Sequence, residues 1–258
     1  MTSMPTLFIS HGAPLMAIEP GEAGAALAAL ASSVPKPTAI LMVSAHWETD
    51  RPMASTAAKP ETIHDFGGFP EQLYRIQYRA PGAPALAQRA VALLEAQGIA
   101  ARLDAERGLD HGAWVPLRYL YPDADVPVTQ LSIQPQRDPE HHFRIGEALQ
   151  PLREEGVLVA ASGSLTHNLY EFRGRTNTVA PYVREFQAWM KQALDAHDLD
   201  VLLDYRRRAP SADRAHPTDE HLLPLFVALG AAGTARARRI TDEVTFGVIA
   251  MDTYVFEG

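Results

Sequence analysis

Three apolar runs in this sequence each end in small residues and then a histidine. Thr6–Ser10, with Leu7-Phe8-Ile9 at its centre, runs into His11. Ala39-Ile40-Leu41-Met42-Val43 passes through Ser44-Ala45 to His46. Val157-Leu158-Val159-Ala160-Ala161 passes through Ser162-Gly163-Ser164-Leu165-Thr166 to His167. Short, unbroken apolar runs of this kind are the pattern of strands buried on both faces, which occur in parallel sheets covered by helices. The Ala/Leu-rich stretch Gly21 to Ala31 fits a crossover helix between the first two. Pro84 to Gln97 has helical period, with Leu86, Ala90, Leu93 and Leu94 on one face and Gly98 to close it. The pattern predicts an α/β fold. With 258 residues, one domain spanning 1–258 is expected. In open α/β sheets ligands bind beyond the carboxyl ends of the strands, where His11, His46 and His167 fall. If the first two strands are neighbours, His11 and His46 stand side by side.

The rest of the chain follows from local signals. Residues 50–83 are rich in Pro and Gly and contain His64-Asp65-Phe66-Gly67-Gly68-Phe69-Pro70. They read as a loop with aromatic cover, suited to closing over a site. Asp65-Phe66-Gly67 is not a kinase motif here, because none of its partner motifs is present. Ala101 to Asp104 is a candidate strand. Asp110 is placed to cap a helix from His111 through Tyr121, which puts His111 at the positive end of that helix. Val126 to Ile133 reads as an alternating strand. Pro139 to Leu152 reads as a helix whose His141 and His142 face solvent. Ala180 to Ala196 is a long helix with Tyr182, Phe186, Trp189, Met190 and Leu194 on a core face. Thr218 or Asp219 is expected to cap a short helix to Leu229, with Glu220 and His221 in its first turn. Phe246 to Met251 is expected as a strand, with β-rich residues to Phe256.

Composition narrows the chemistry. The chain has ten histidines and no cysteine, so thiolate metal sites and disulfides are excluded and N/O ligands remain. Its formal charge is -8, and apart from Arg206-Arg207-Arg208 and the arginines between Arg236 and Arg239 the basic residues are dispersed. No nucleic-acid groove is suggested. No apolar run approaches the roughly 18 residues of a membrane span, and the N-terminus has no signal-peptide pattern. A cytoplasmic protein without a membrane partner is expected. His11, His46, His111, His167, His221 and Glu220 are candidates to converge. Imidazoles with at most one carboxylate suit Fe(II) or Zn(II). Residue types alone leave three readings open: an iron oxygenase, a zinc hydrolase, and a non-enzymatic metal-binding protein that would need neither His167 nor His111. A His-Glu-x-x-His metalloprotease is excluded by its missing motif.

Taken together, Ser10-His11-Gly12-Ala13-Pro14, Ser44-Ala45-His46-Trp47, His64 to Pro70, Asp110-His111-Gly112-Ala113-Trp114, Thr166-His167-Asn168-Leu169 and Pro217-Thr218-Asp219-Glu220-His221 resemble the class III extradiol ring-cleavage dioxygenases. The likeness is to the DOPA-type branch, and it covers almost the whole chain. It implies a single α/β domain with a central mixed sheet flanked by helices and a metal site at the carboxyl edge of the strands. The implied activity is opening of a catechol ring with dioxygen at non-haem Fe(II), with Zn(II) as an alternative occupant of the resting protein. The implied metal ligands are His11, His46 and His221. His167 would be the catalytic base, near enough to complete a four-histidine set around zinc. His111 would hydrogen-bond substrate or oxygen, and His64, Phe66, Phe69 and Trp47 would contact substrate. In the protocatechuate-cleaving branch the third ligand is a glutamate, so Glu220 competes with its neighbour His221 for that place. The implied partners are a small catechol and O2, with the chain a monomer or homodimer.

Overall fold

The computed structural model describes residues 3–172, 174, 176 and 178–258. In chain order the strands are β1 (Thr6–Ser10), β2 (Ala39–Glu48), β3 (Met53–Ser55), β4 (Arg102–Asp104), β5 (Val128–Ile133), β6 (Val157–Gly163), β7 (Arg236–Thr241), the two-residue pair β8 (Val244–Thr245) and β9 (Ile249–Ala250), and β10 (Thr253–Glu257). Eight of them form one sheet in the order β4-β3-β5-β2-β6-β1-β10-β7. Strands β5, β2, β6 and β1 run parallel. On one side β10 pairs antiparallel with β1 and β7 pairs antiparallel with β10, and on the other β3 pairs antiparallel with β5. The fold is therefore a single α/β domain with a mixed central sheet.

The side-by-side placement of β1 and β2 needs correction, because β6 lies between them. Their histidines converge nonetheless. Register pairs Ser44 with Ser162 and Ser10 with Gly163, so β1 and β6 end level while β2 runs on to Glu48 and carries His46 just past that level. Strand β5 does not alternate; all six of its residues are buried, as expected for a strand with helices over both faces. The helix Leu223–Ala232 packs on the helix Pro139–Leu149 and on β1, β2 and β6. The helix Gly21–Ala31 packs on the helix His111–Leu120, which in turn lies on β2 and β6. Among the described residues, no helix is long and apolar enough to cross a membrane.

Other local expectations also shift. The helix predicted over 139–152 breaks into Pro139–Leu149 and Pro151–Glu154, since a proline cannot continue the backbone ladder. Residues 50–83 are not wholly irregular; they hold β3 and a helical turn at Glu71–Tyr74. Between Phe246 and Met251 only Ile249–Ala250 is extended, and Phe246 adopts a left-handed φ of 53°.

His142 is fully buried rather than solvated. Its Nδ1–H donates to the Asp138 carbonyl at 2.9 Å, and its Nε2 accepts from the Gln134 N–H at 3.1 Å. His141 is half-buried beside Gln134. The Asp138 side chain caps the helix by accepting from the His141 N–H. Burial lowers His142 from 6.5 to about 4. The unfolded chain thus takes a proton near pH 6.5 that the folded chain refuses until about pH 4. This contribution is fully present above pH 6.5 and is lost as pH falls towards 4, at a final cost of about 3 kcal/mol. Urea unfolding should show wild-type stability falling over that window, with a shallower fall in His142→Gln. Equal slopes in the two proteins would refute this role for His142.

Candidate metal centre

Three imidazoles meet at the carboxyl edge of the sheet. His11 follows β1, His46 lies near the end of β2, and His221 lies in the turn that enters the helix Leu223–Ala232. One ligand nitrogen from each falls in a group whose members lie within 4.8 Å of one another. The expected cap for His221 is not formed. The helix begins two residues later, at Leu223, with no side-chain cap, and the Asp219 carbonyl accepts from the Leu222 and Leu223 N–H groups instead. His221 is therefore presented by a turn rather than by a helix face. Gly163 makes room for that turn, since a Cβ there would lie 2.0 Å from the His221 carbonyl oxygen. The Ser164 N–H donates to this same carbonyl at 2.8 Å, so the end of β6 holds His221 in place.

Each ring has a partner that orients it. The Ser162 hydroxyl donates to the Gly112 carbonyl at 2.5 Å, so its oxygen must accept from His11 Nδ1–H at 2.9 Å. That carbonyl is available because residue 116, four positions on in the same helix, is a proline and has no N–H to offer it. His221 Nδ1 donates to Glu220 Oε1 at 3.0 Å. His46 Nδ1 faces Asp65 Oδ2 at 3.5 Å. These contacts leave the three Nε2 atoms for a shared ligand, and those of His11 and His46 lie 3.0 Å apart. Burial is the main reason that His11 and His221 are held well below the ordinary histidine value, and neighbouring imidazoles add to it. Burial likewise brings His46 down to about 4. Neutral imidazoles with converging Nε2 lone pairs, fixed through Nδ1 by oxygen atoms, fit a divalent cation.

Two further histidines border the triad. The His167 ring stacks on His221, with centroids 3.5 Å apart and planes 11° from parallel. His167 is not in the His11–His46–His221 group; it groups with Glu220 and His221, its Nδ1 lying 3.8 Å from Glu220 Oε1. Burial lowers it to about 4 against the pull of that carboxylate. His111 opens its helix behind the predicted Asp110 cap. Its Nδ1 and its backbone N–H both donate to Asp65 Oδ1, at 2.9 and 3.0 Å. Burial pushes the Asp65 carboxyl up, but the hydrogen bonds from the His111 ring and backbone N–H help to outweigh this and leave it at about 2.

A cavity of about 750 Å³ opens onto these rings. His11, His46, His111, His167 and His221 line it, together with Phe66 and Phe69 of the 64–70 loop. Of the four residues assigned to substrate contact, Phe66 and Phe69 line the cavity, whereas His64 and Trp47 do not. His64 lies behind the loop, hydrogen-bonded to the Ile76 carbonyl and packed on Trp114. Trp47 is buried under the Arg107 guanidinium, 5.2 Å above its ring. Sequence reasoning gave no role to Asp65, Leu15, Leu169, Phe172 or Phe246, although the last four also line the cavity. Only Asp65 had a usable signal, a carboxylate between His64 and the glycines of a loop. Leu169 closes the Thr166-His167-Asn168-Leu169 stretch without a stated role, and Leu15, Phe172 and Phe246 lie outside the motifs.

Residues 5–257 match the family described as the catalytic LigB subunit of aromatic ring-opening dioxygenase. Among similar proteins, the 4,5-DOPA dioxygenase extradiol of Beta vulgaris is 43% identical over 97% of this chain and 96% of its own length. The enzyme of the same name from Escherichia coli K12 is 41% identical over 89% of this chain and 86% of its own. The crystal structure of an uncharacterized protein from Escherichia coli K12 superposes with a TM-score of 0.81 at 32% identity, covering 98% of this chain and 99% of that one. A family match over nearly every residue, with a histidine triad lining the cavity, leaves one assignment: the chain belongs to the LigB family and is an extradiol aromatic ring-opening dioxygenase.

Proposed function

We propose that the enzyme opens a catechol ring with dioxygen, using a ferrous ion held by Nε2 of His11, His46 and His221. What supports this most is the triad itself, whose Nδ1 atoms face oxygen partners while the rings border a cavity covered by Phe66 and Phe69. When bound, the ion supplies Lewis acidity towards the two diol oxygens and redox chemistry towards dioxygen. The protein supplies the rest. Phe66 and Phe69 offer aromatic faces and edges to the ring. His167, kept neutral by burial, accepts the proton of the second hydroxyl. Glu220, 3.8 Å from His167 Nδ1, stabilises the imidazolium that results. His111, with Nδ1–H committed to Asp65, turns Nε2 to the cavity. Gly67 and Gly68 keep the loop free of side-chain bulk between Phe66 and Phe69 at the edge of the cavity.

Anaerobic loading with Fe(II), followed by oxygen uptake across a panel of catechols, tests the reading. Uptake should require both Fe(II) and a catechol and should yield a ring-opened semialdehyde. Activity with Zn(II) alone, on esters or amides, would instead favour a zinc hydrolase. The choice of His221 over Glu220 as third ligand is tested by the same loading. Glu220→Gln should retain metal at wild-type stoichiometry, and His221→Ala should lose it. The reverse pattern would make Glu220 the ligand.

A further inference from the structure

Asp65 is the residue of this site that sequence motifs left without a role. It sits one position before Phe66-Gly67-Gly68-Phe69, the part of the loop that covers the cavity. Its two carboxylate oxygens face different rings. Oδ1 accepts from both donors of His111, Nδ1–H and backbone N–H. Oδ2 lies 3.5 Å from Nδ1 of His46. The two imidazoles are themselves close, with centroids 4.0 Å apart. The loop that carries Asp65 is pinned beside it, because Trp114 Nε1 donates to the Ile63 carbonyl and His64 is hydrogen-bonded to the Ile76 carbonyl. One side chain thus touches a candidate ligand, a candidate catalytic ring and the base of the covering loop.

We propose that Asp65 is a positioning residue that acts through His46 and His111, holding both rings with Nδ1 protonated and Nε2 free while tying the covering loop to the metal ligand. The inference rests on the reading of His46 as a ligand. Its physical basis is that a carboxylate only accepts: His111 Nδ1, hydrogen-bonded to it, must donate, and the negative charge 3.5 Å from His46 Nδ1 favours a proton on that nitrogen. A ring that donates through Nδ1 keeps the lone pair on Nε2, and that lone pair is what a metal ion needs. An amide in the same place behaves differently. If its oxygen takes the two donors of His111, its NH2 points at His46 Nδ1. That favours a His46 that accepts there and carries its proton on Nε2, where metal is to bind.

This gives an order that a merely structural role would reverse. Asp65→Asn preserves shape, so a packing role predicts near wild-type behaviour for Asn and a defect for Ala. The positioning role predicts that Asn is the worse of the two. Zn(II) affinity, measured by competition with a chromophoric chelator, should fall about 100-fold in Asp65→Asn and about 10-fold in Asp65→Ala, the range usual for partners of ligating histidines. Wild-type affinity in Asp65→Asn, or a larger loss in Asp65→Ala than in Asp65→Asn, overturns the proposal. His46→Ala in the same titration separates the two levels of the inference. Loss of zinc in His46→Ala with none in Asp65→Asn refutes Asp65 alone, whereas retention in His46→Ala removes the ligand assignment and the proposal with it. If Asp65→Asn does not fold, the wild-type protein still decides. Ring 15N shifts of metal-free protein should report His111 protonated at Nδ1, and protonation at Nε2 refutes the proposal.

Discussion

Replacing His167 by glutamine should slow catechol turnover by about 10²–10⁴-fold while the protein keeps its metal ion. The expectation rests on where the ring lies. It stacks on His221 yet falls outside the His11–His46–His221 group, and it lines the cavity. Burial holds it at about 4, so at neutral pH it is an unprotonated base. Glutamine keeps the bulk and a polar tip but cannot take up the proton. The loss should be smaller for a nitrocatechol, whose hydroxyls ionise without help. Stopped-flow or oxygen-electrode rates with each substrate, alongside metal analysis of the variant, check both parts. If the variant emerges without metal, His167 is itself a ligand and the base must be sought at His111. Unchanged turnover would remove proton transfer at His167 from the mechanism.

The second large effect is on stability, and it concerns a residue that touches no substrate. Asp110 is fully buried. It accepts from Ser44 Oγ at 2.6 Å, from Arg107 Nη2 at 2.6 Å and from the Gln130 side-chain amide, and it caps its helix through the Ala113 N–H. Removing one partner of a buried ion pair leaves the other charge without compensation, at a cost of about 3–5 kcal/mol. The lost cap accounts for about 1 kcal/mol of such an effect. That is a large share of the roughly 5–15 kcal/mol that holds a domain folded. Asp110→Ala should therefore unfold at markedly lower urea concentration at pH 7, and Asp110→Asn should fall between it and wild type. The site should loosen as well, because Arg107 also donates to the His46 carbonyl at 3.2 Å and His111 is the first residue of the capped helix. A change below about 1 kcal/mol in Asp110→Ala would mean that the network is peripheral to stability.

The sequence by itself determined the elements that depend on local pattern. The buried runs ending at Ser10, Val43 and Ala161 are strands, the crossover helix is Gly21–Ala31, and Asp110 caps the helix carrying His111. Each follows from residues within one turn or one strand of each other. The motif set also identified the family, because its pieces kept their order along the chain. What the tertiary structure alone decided is how distant pieces meet. Strand order cannot be read from a run of apolar residues, so β6 between β1 and β2 was hidden. With it went the role of Ser162, which orients His11 from that middle strand. His142 carries a polar label, yet two hydrogen bonds supplied by Gln134 and Asp138 make its burial tolerable. His64 and Trp47 belong to the right motifs and still lie outside the cavity lining, because neighbours in sequence point to different sides of the backbone. Asp65 lies 46 residues from His111 and 19 from His46. A carboxylate that far along the chain shows what it does only when the fold brings the three side chains together, one ring hydrogen-bonded to it and the other 3.5 Å away.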